Sequence, residues 1–309
     1  MSLYNLVRPV SFDEVLGNPA VVNSLKSIVA KKPDKRPHTF LFQGPSGCGK
    51  TTIARILSKE FGCASIDFME LDAAKDRGVD SMRRLVDEAQ FSPMGGECRI
   101  FLLDEVHELT KTAQETLLKT TEDTPPSSYF ILCTTDPEKI IQTIRNRCST
   151  FQLVLLRDPE MELLLNNTLE KLKKELSDEI FFGIIDAAEG SPRKALVILE
   201  QVLSLVNEKE QLSIIQQAAI KQDVFDLCRH LIRGGEWKDI LKTYQKVPPS
   251  EPETLRRAIL GYVKNSLTRG GSVCDKAFIL GSAFRRPYFD SGEAAFLLDL
   301  YEVCQKMKK

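Results

Sequence analysis

The sequence predicts an α/β domain built on a parallel sheet, followed by a region made of helices alone. Alternation, one motif and a change of period lead to that class. Up to about residue 157, short apolar runs alternate with segments of helical spacing, the pattern of successive β-α-β units. One strand-to-helix junction carries a glycine-rich loop closed by Gly-Lys-Thr. Past Arg157-Asp158-Pro159 the strand pattern fades and helical spacing runs on to the last residue.

The predicted strands, in order, are Thr39–Gln43, Ile66–Leu71, Arg99–Leu103, Tyr129–Cys133 and Thr150–Leu155. Each is a short apolar or β-branched run of the kind buried in a covered sheet. Between them Ile53, Ile56, Leu57 and Phe61 fall on one helical face, as do Met82, Leu85, Val86 and Ala89, and then Ala113, Thr116 and Leu117. Tyr129–Cys133 comes late enough to lie beside Thr39–Gln43 in a doubly wound sheet. Residues 1–157 therefore read as an α/β domain. Met161–Lys174, Asp178–Ala188 and Pro192–Val206 predict three amphipathic helices, with Gly190-Ser191-Pro192 as a stop and restart, giving a small helical domain over 158–207. Residues 208–309 stay helical in period, broken at Gly234-Gly235, Val247-Pro248-Pro249-Ser250 and Gly270-Gly271, and read as a third, all-α domain.

Composition excludes the unusual classes. The chain has 309 residues, 42 Lys+Arg against 43 Asp+Glu, and 42% hydrophobic residues, an ordinary globular balance. Residues 1–157 hold 20 basic and 20 acidic side chains, leaving 22 and 23 for the rest, so nucleic acid could be held only by a local patch. No apolar stretch approaches the roughly 18 residues of a membrane span, and Met1–Val10 has neither a charged n-region nor an apolar h-region. A cytoplasmic protein with no membrane partner is expected. The eight cysteines form no C-x-x-C pair and the three histidines are isolated, so reduced thiols and no zinc are expected.

The chemistry centres on Phe40-Leu41-Phe42-Gln43 running into Gly44-Pro45-Ser46-Gly47-Cys48-Gly49-Lys50-Thr51-Thr52. This is G-x-x-x-x-G-K-[ST] with a strand before it and an amphipathic helix after it. Such a loop wraps its N–H groups around phosphate oxygens while the helix adds its positive end. Lys50 is assigned to the β- and γ-phosphates and Thr51 to Mg²⁺. Arg99–Leu103 then delivers Asp104-Glu105 to the carboxyl edge of the sheet: Asp104 to hold Mg²⁺ through water, Glu105 to orient the attacking water. Tyr129–Cys133 delivers Thr134-Thr135-Asp136 to the same edge, where a hydroxyl could bond the γ-phosphate or the water, or a threonine could simply be a β-branched strand residue.

These residues resemble an AAA+ ATPase, and more narrowly a sliding-clamp loader subunit, similar to the small subunits of replication factor C and the bacterial gamma/tau subunit. Val7-Arg8-Pro9 with Phe12-Asp13-Glu14-Val15-Leu16-Gly17-Asn18 resembles the family's opening motif, which implies that Val7, Arg8, Pro9, Val15 and Leu16 pack around adenine. Asp104-Glu105-Val106-His107-Glu108-Leu109-Thr110 and Leu117-Leu118-Lys119-Thr120-Thr121-Glu122 resemble the Walker B segment and the helix after it. Cys133-Thr134-Thr135-Asp136-Pro137-Glu138-Lys139-Ile140 is similar to sensor 1, with Thr135 at the sensor position. Arg145-Asn146-Arg147-Cys148 resembles the S-R-C motif with Asn146 in place of serine, which implies that Arg147 is a finger reaching a neighbouring subunit's γ-phosphate. Gly190-Ser191-Pro192-Arg193-Lys194-Ala195-Leu196 is similar to sensor 2 and assigns Arg193 to the nucleotide.

Asp76-Arg77-Gly78-Val79-Asp80-Ser81-Met82-Arg83 resembles the replication factor C segment whose arginines follow the DNA backbone. Arg77 and Arg83 are thus DNA-contact candidates, beside a helix start capped by Asp80 or Ser81, with Lys111 and Lys119 as lesser ones, Lys119 as a DNA-sensing switch near Glu105. Read without the resemblance, Arg83-Arg84 and Asp87-Glu88 make a salt-bridged helix face. The segment Phe91-Ser92-Pro93-Met94-Gly95 lies where family members touch the clamp.

The expectation is an Mg²⁺-dependent ATP hydrolase that opens a sliding clamp and loads it on primer–template DNA. The resemblance implies a hetero-oligomeric ring or spiral, a pentamer, formed through the helical C-terminal region, in the cytoplasm, nucleoid or nucleus, or in host cytoplasm for a viral protein. Competing readings are another AAA+ ATPase on nucleic acid, such as a helicase loader or branch-migration motor, and a non-hydrolysing structural loader subunit.

Overall fold

Alternation along the strands builds the first half of the molecule. In Thr39–Gln43 (β1) Phe40 and Phe42 enter one apolar cluster and Leu41 the opposite one, and all three are fully buried. Arg99–Asp104 (β3) and Ser128–Thr134 (β4) divide their side chains in the same way: Ile100, Leu102, Tyr129 and Ile131 to the first face, Phe101, Leu103, Phe130 and Leu132 to the second. A sheet loaded on both faces must be covered on both. With Phe68–Asp72 (β2) and Ser149–Gln152 (β5) it forms five parallel strands in the order β2-β3-β4-β1-β5. The doubly wound expectation holds, since β4 lies against β1 with Gln43 opposite Thr134.

The computed structural model describes residues 2–247, 252–269, 274–288 and 292–308, with the side chains of 119, 219–222, 265 and 269 outside that description. In chain order the helices are α1 (Leu3–Leu6), α2 (Pro19–Val29), α3 (Lys50–Glu60), α4 (Val79–Ala89), α5 (Lys111–Glu122), α6 (Gln142–Arg145), α7 (Asp158–Leu172), α8 (Asp178–Ala188), α9 (Pro192–Leu203), α10 (Glu208–Ile232), α11 (Trp237–Tyr244), α12 (Pro252–Arg269), α13 (Cys274–Ala283) and α14 (Gly292–Met307). Helices α2 and α3 cover the first sheet face through Val22, Leu25, Ile53 and Leu57; α4 and α5 cover the second through Met82, Leu85, Ala113 and Leu117.

The described chain divides into two compact units, 1–177 with 188–200, and 178–187 with 201–309. The first holds the sheet together with α7 and α9. The second is helical, with Val224, Leu227, Leu231, Ile240, Ile259, Phe284, Phe296, Leu300 and Val303 in its core. In that core Glu253, almost fully buried, pairs with Arg256 over 2.6 Å and accepts the Tyr288 N–H. The Arg256 guanidinium holds the Glu253 carboxyl down to about 2.

Several local expectations shift. Helix α2 was not legible as a separate element. β2 starts at Phe68 rather than Ile66, because Ser65–Asp67 forms a helical turn whose buried Asp67 carboxylate accepts the N–H groups of Met94, Gly95 and Gly96. Those bonds hold the Asp67 carboxyl below its usual range. β5 stops at Gln152, before the predicted Leu155, because Asn18 brackets Val154, its amide donating to the Val154 carbonyl and its oxygen accepting the Val154 N–H. Helix α9 ends at Leu203, not Val206. The breaks predicted at Pro248-Pro249-Ser250 and Gly270-Gly271 lie outside the described residues.

Candidate functional site

β1 hands the chain directly to the phosphate loop, and α3 begins at Lys50 with Gly49 as its N-cap. Glycine is required at two loop positions. Gly47 has φ +79°, and a Cβ there would lie 2.3 Å from Ser191 Oγ; Gly44 has φ +155°, and a Cβ would lie 2.4 Å from the Leu153 carbonyl oxygen. No side chain caps α3, so its first N–H groups stand ready for an anion. Lys50 is buried and donates to the carbonyls of Gly44 at 2.8 Å and Pro45 at 2.9 Å. Those bonds aim the ammonium back over the loop. Burial pushes the neighbouring Cys48 thiol up, so it stays protonated and apolar at neutral pH.

The other strand ends converge on this loop. β3 lies next to β4, which lies next to β1, so Asp104, Thr134 and the loop share one carboxyl edge. Thr51 Oγ1 donates to Asp104 Oδ2 at 2.8 Å. A hydroxyl beside a carboxylate is a hard oxygen pair of the kind Mg²⁺ takes together with waters and phosphate oxygens. Among the described residues no three His, Cys, Asp or Glu side chains cluster as a metal cage. Glu105 has φ +51°, a left-handed conformation uncommon for this residue type. Its Oε2 accepts the Thr135 hydroxyl at 3.1 Å and lies 3.3 Å from His107 Nδ1. Thr135, one residue past the end of β4, is therefore a partner of Glu105.

Two adjoining cavities open above the loop. One, of about 740 Å³, is lined by Ser46, Lys50, Thr51, Asp104, Glu105, Arg8 and Arg193; the other, of about 440 Å³, by Val7, Pro9, Val15, Leu16, Cys48, Ile53, Leu164 and Leu196. Tyr4, Arg8, Gly47, Gly49 and Thr52 border both. The polar chamber suits phosphates and the apolar one a flat base. The sequence-predicted nucleotide residues from Val7 to Arg193 line these cavities, except Gly44 and Pro45, whose carbonyls hold Lys50. Sequence reading missed Tyr4: its ring lies under the Arg8 guanidinium at 5.1 Å and the Arg193 guanidinium at 4.9 Å, and its hydroxyl accepts from Arg8 at 2.9 Å. An aromatic residue four positions before Arg8 was the available signal.

Arg147 stands apart from this cleft, after α6. Its guanidinium donates to the Thr143 carbonyl at 3.1 Å and pairs with Glu122, and about two fifths of the side chain is exposed at 38%. Arg77 is exposed, and its carbonyl accepts the Thr110 N–H at 3.2 Å, which sets it beside Lys111 at the start of α5. Arg83 is exposed and pairs with Asp80 at 3.4 Å, three residues back, not with Asp87. The cap expected from Asp80 or Ser81 is corrected: Gly78 is the N-cap, in extended conformation, and Asp80 lies inside the first turn. The side chain of Lys119 lies outside the described residues, so its expected approach to Glu105 is not placed. Phe91 and Met94 are exposed at 62% and 77%.

A family model described as DNA polymerase III, delta subunit, matches residues 67–156. The DNA polymerase III gamma subunit of Buchnera aphidicola (Schizaphis graminum) is 34% identical over 278 residues, covering 76% of this chain and 75% of the relative. The gamma/tau subunit of Mycobacterium tuberculosis is 37% identical over 227 residues, covering 66% of this chain and 39% of the relative. The tau subunit of Bacillus subtilis is 28% identical over 291 residues, 86% of this chain and 51% of that one. The chain thus spans about two fifths to a half of the longer relatives it matches. Among solved structures, a RuvB variant of Thermotoga maritima superposes with a TM-score of 0.59 at 19% identity, covering 85% of this chain and 88% of RuvB. Thermotoga maritima RuvB described as a Holliday junction branch migration motor gives 0.55 at 20%, covering 94% and 90%. That likeness establishes the AAA+ fold with a helical C-terminal region.

Proposed function

This chain belongs to the family of DNA polymerase III gamma and gamma/tau subunits, and from that premise we propose that it is an ATP-hydrolysing subunit of a sliding-clamp loader. The observation that carries the reading is the meeting of Lys50, the Thr51–Asp104 pair and the Thr135–Glu105 pair at one sheet edge. The apolar chamber between Val7, Val15 and Leu16 takes the adenine. The loop N–H groups, Lys50 and Arg193 take the phosphates.

Thr51 and Asp104 are the residues that would hold Mg²⁺, which supplies charge neutralisation on the phosphate oxygens when bound. Glu105 accepts a hydrogen bond from the attacking water and so orients it, while Thr135 keeps that carboxylate in place. Arg147, which does not line this cleft among the described residues, serves the γ-phosphate of a neighbouring subunit. Hydrolysis then depends on assembly, because the charge that stabilises the transition state arrives from outside the chain.

We assign 158–207 as the lid and 208–309 as the collar of a ring or spiral, a pentamer in the replication factor C manner. In support, Leu164 and Leu196 from α7 and α9 line the base chamber. Arg77, Arg83 and Lys111 follow the DNA backbone, sequence-blind, supported by the neighbouring starts of α4 and α5. ATP binding favours the clamp- and DNA-gripping state and hydrolysis releases it, which requires the nucleotide to bind the two states unequally. A cytoplasmic location follows from this reading.

The test is ATP turnover of the assembled protein with and without clamp and primed DNA, in wild type and in Arg147→Ala. Stimulation by clamp plus DNA that disappears in Arg147→Ala supports the proposal. Turnover indifferent to the clamp favours a branch-migration motor or helicase loader, and none in any assembly marks a structural subunit.

A further inference from the structure

We propose that His107 is a positioning residue for Glu105, holding the carboxylate in the orientation from which it addresses water. The inference rests on the reading of Glu105 given above. The turn after β3 carries it: the Glu108 N–H donates to the Glu105 carbonyl at 2.8 Å, folding the chain so that the His107 ring returns over Glu105. The ring is only 9% exposed, with Nδ1 at 3.3 Å from Glu105 Oε2 and Nε2 at 3.5 Å from Glu108 Oε1. Nδ1 also lies 3.1 Å from Thr134 Oγ1, which itself accepts the Asp136 N–H at 3.0 Å. The ring plane is thus pinned by a hydroxyl fixed at the end of β4.

The ring's hydrogen bond joins Nδ1 to Thr134 Oγ1, with Glu105 Oε2 beside the same nitrogen; an ionised carboxylate only accepts, so a proton on Nδ1 is the arrangement favourable to both neighbours. Glu105 Oε2 then has one hydrogen-bond donor, the Thr135 hydroxyl just past β4, and beside it the Nδ1 edge of the His107 ring from the turn after β3. The sheet pairing of β3 with β4 sets their spacing. A glutamate held from one side swings about its last bonds; held from two, it presents its other oxygen, Oε1, in one direction. Preorganisation of this kind acts on the chemical step more than on nucleotide affinity.

Two measurements test this on the full chain. The first needs no turnover. In the spectrum of ¹⁵N-histidine-labelled protein at neutral pH, three rings are present, and His107→Asn identifies the His107 signals by their loss. Expected is a His107 ring that carries a proton on Nδ1 and whose shifts move in Glu105→Ala. A ring protonated only on Nε2, or one unchanged by Glu105→Ala, overturns the proposal.

The second is ATP turnover of the assembled protein. The asparagine amide overlays the Nδ1 side of a histidine ring and the glutamine amide the Nε2 side. His107→Asn should keep kcat within about threefold, while His107→Ala and His107→Gln lose about tenfold with KM changed less than about twofold. Equal losses in Asn, Gln and Ala make the ring mere packing and overturn the proposal. Undiminished turnover in Glu105→Ala overturns the role of Glu105 itself; loss there with full activity in His107→Ala overturns only the role of His107.

Discussion

The Thr51 hydroxyl, on the first turn of α3, donates 2.8 Å to the Asp104 carboxylate at the end of β3, joining residues from two strand exits on either side of β4. Both groups already face each other with oxygen ligands only. Asp104→Asn keeps the shape and removes the charge. The expected outcome is a loss of about a hundredfold in kcat, with the melting temperature little changed, read by steady-state turnover and thermal denaturation side by side. Unchanged turnover would remove Asp104 from the site.

Arg147 is tied to Glu122 and to the Thr143 carbonyl, on a surface away from its own phosphate loop. Arg147→Ala should leave fluorescent-nucleotide binding to the isolated chain intact while turnover in the assembly falls by about a thousandfold. Mixing Arg147→Ala with Lys50→Ala chains should restore part of the activity, since each supplies what the other's interface lacks. Absence of any restoration in a mixed assembly that forms normally argues against action between subunits.

Arg77 and Lys111 are adjacent through the Arg77 carbonyl and the Thr110 N–H. Arg77→Ala and Lys111→Ala should each weaken binding of primed DNA equally across sequences, and each should lower the slope of log affinity against log salt by about one. A slope identical to wild type in both variants would place the DNA elsewhere.

Glu253 gives a pH dependence in the helical unit. Its carboxyl lies at about 2 against the ordinary 4.5 because Arg256 donates to it. A depressed folded value means stability that is complete above about 4.5 and is lost as the pH falls toward about 2. The denaturation midpoint of wild type should therefore drop through that window. Glu253→Gln should start lower at neutral pH and show a shallower acid decline; an equally steep decline would assign the acid sensitivity to other carboxylates.

Gly47 can be tested directly. Gly47→Ala places a methyl group 2.3 Å from Ser191 Oγ at a φ of +79°, so it should cost roughly 1–2 kcal/mol of stability and weaken nucleotide binding by moving the α9 start off the loop. Calorimetry in the absence and presence of ATP separates the two effects.

The local chemistry was legible in the chain itself, because phosphate binding needs a short contiguous run. Gly44 to Thr52 must be adjacent to wrap one anion, and Asp104-Glu105 must end an apolar strand to reach the same edge. The strands were readable because each residue from Phe40 to Phe42 and from Ile100 to Leu103 faces a covered layer. What only the tertiary structure decided were contacts between distant residues whose identities carry no period. Asn18 ends β5 by clasping Val154, Asp67 gathers three N–H groups of the 94–96 loop, and Tyr4 stacks beneath Arg193. His107 is only two positions from Glu105, yet its placement also needed the structure, because the ring is held by Thr134 from β4. A side chain that bonds across the fold leaves no trace in its neighbours along the chain, since spacing encodes which face a residue takes and not which partner waits there.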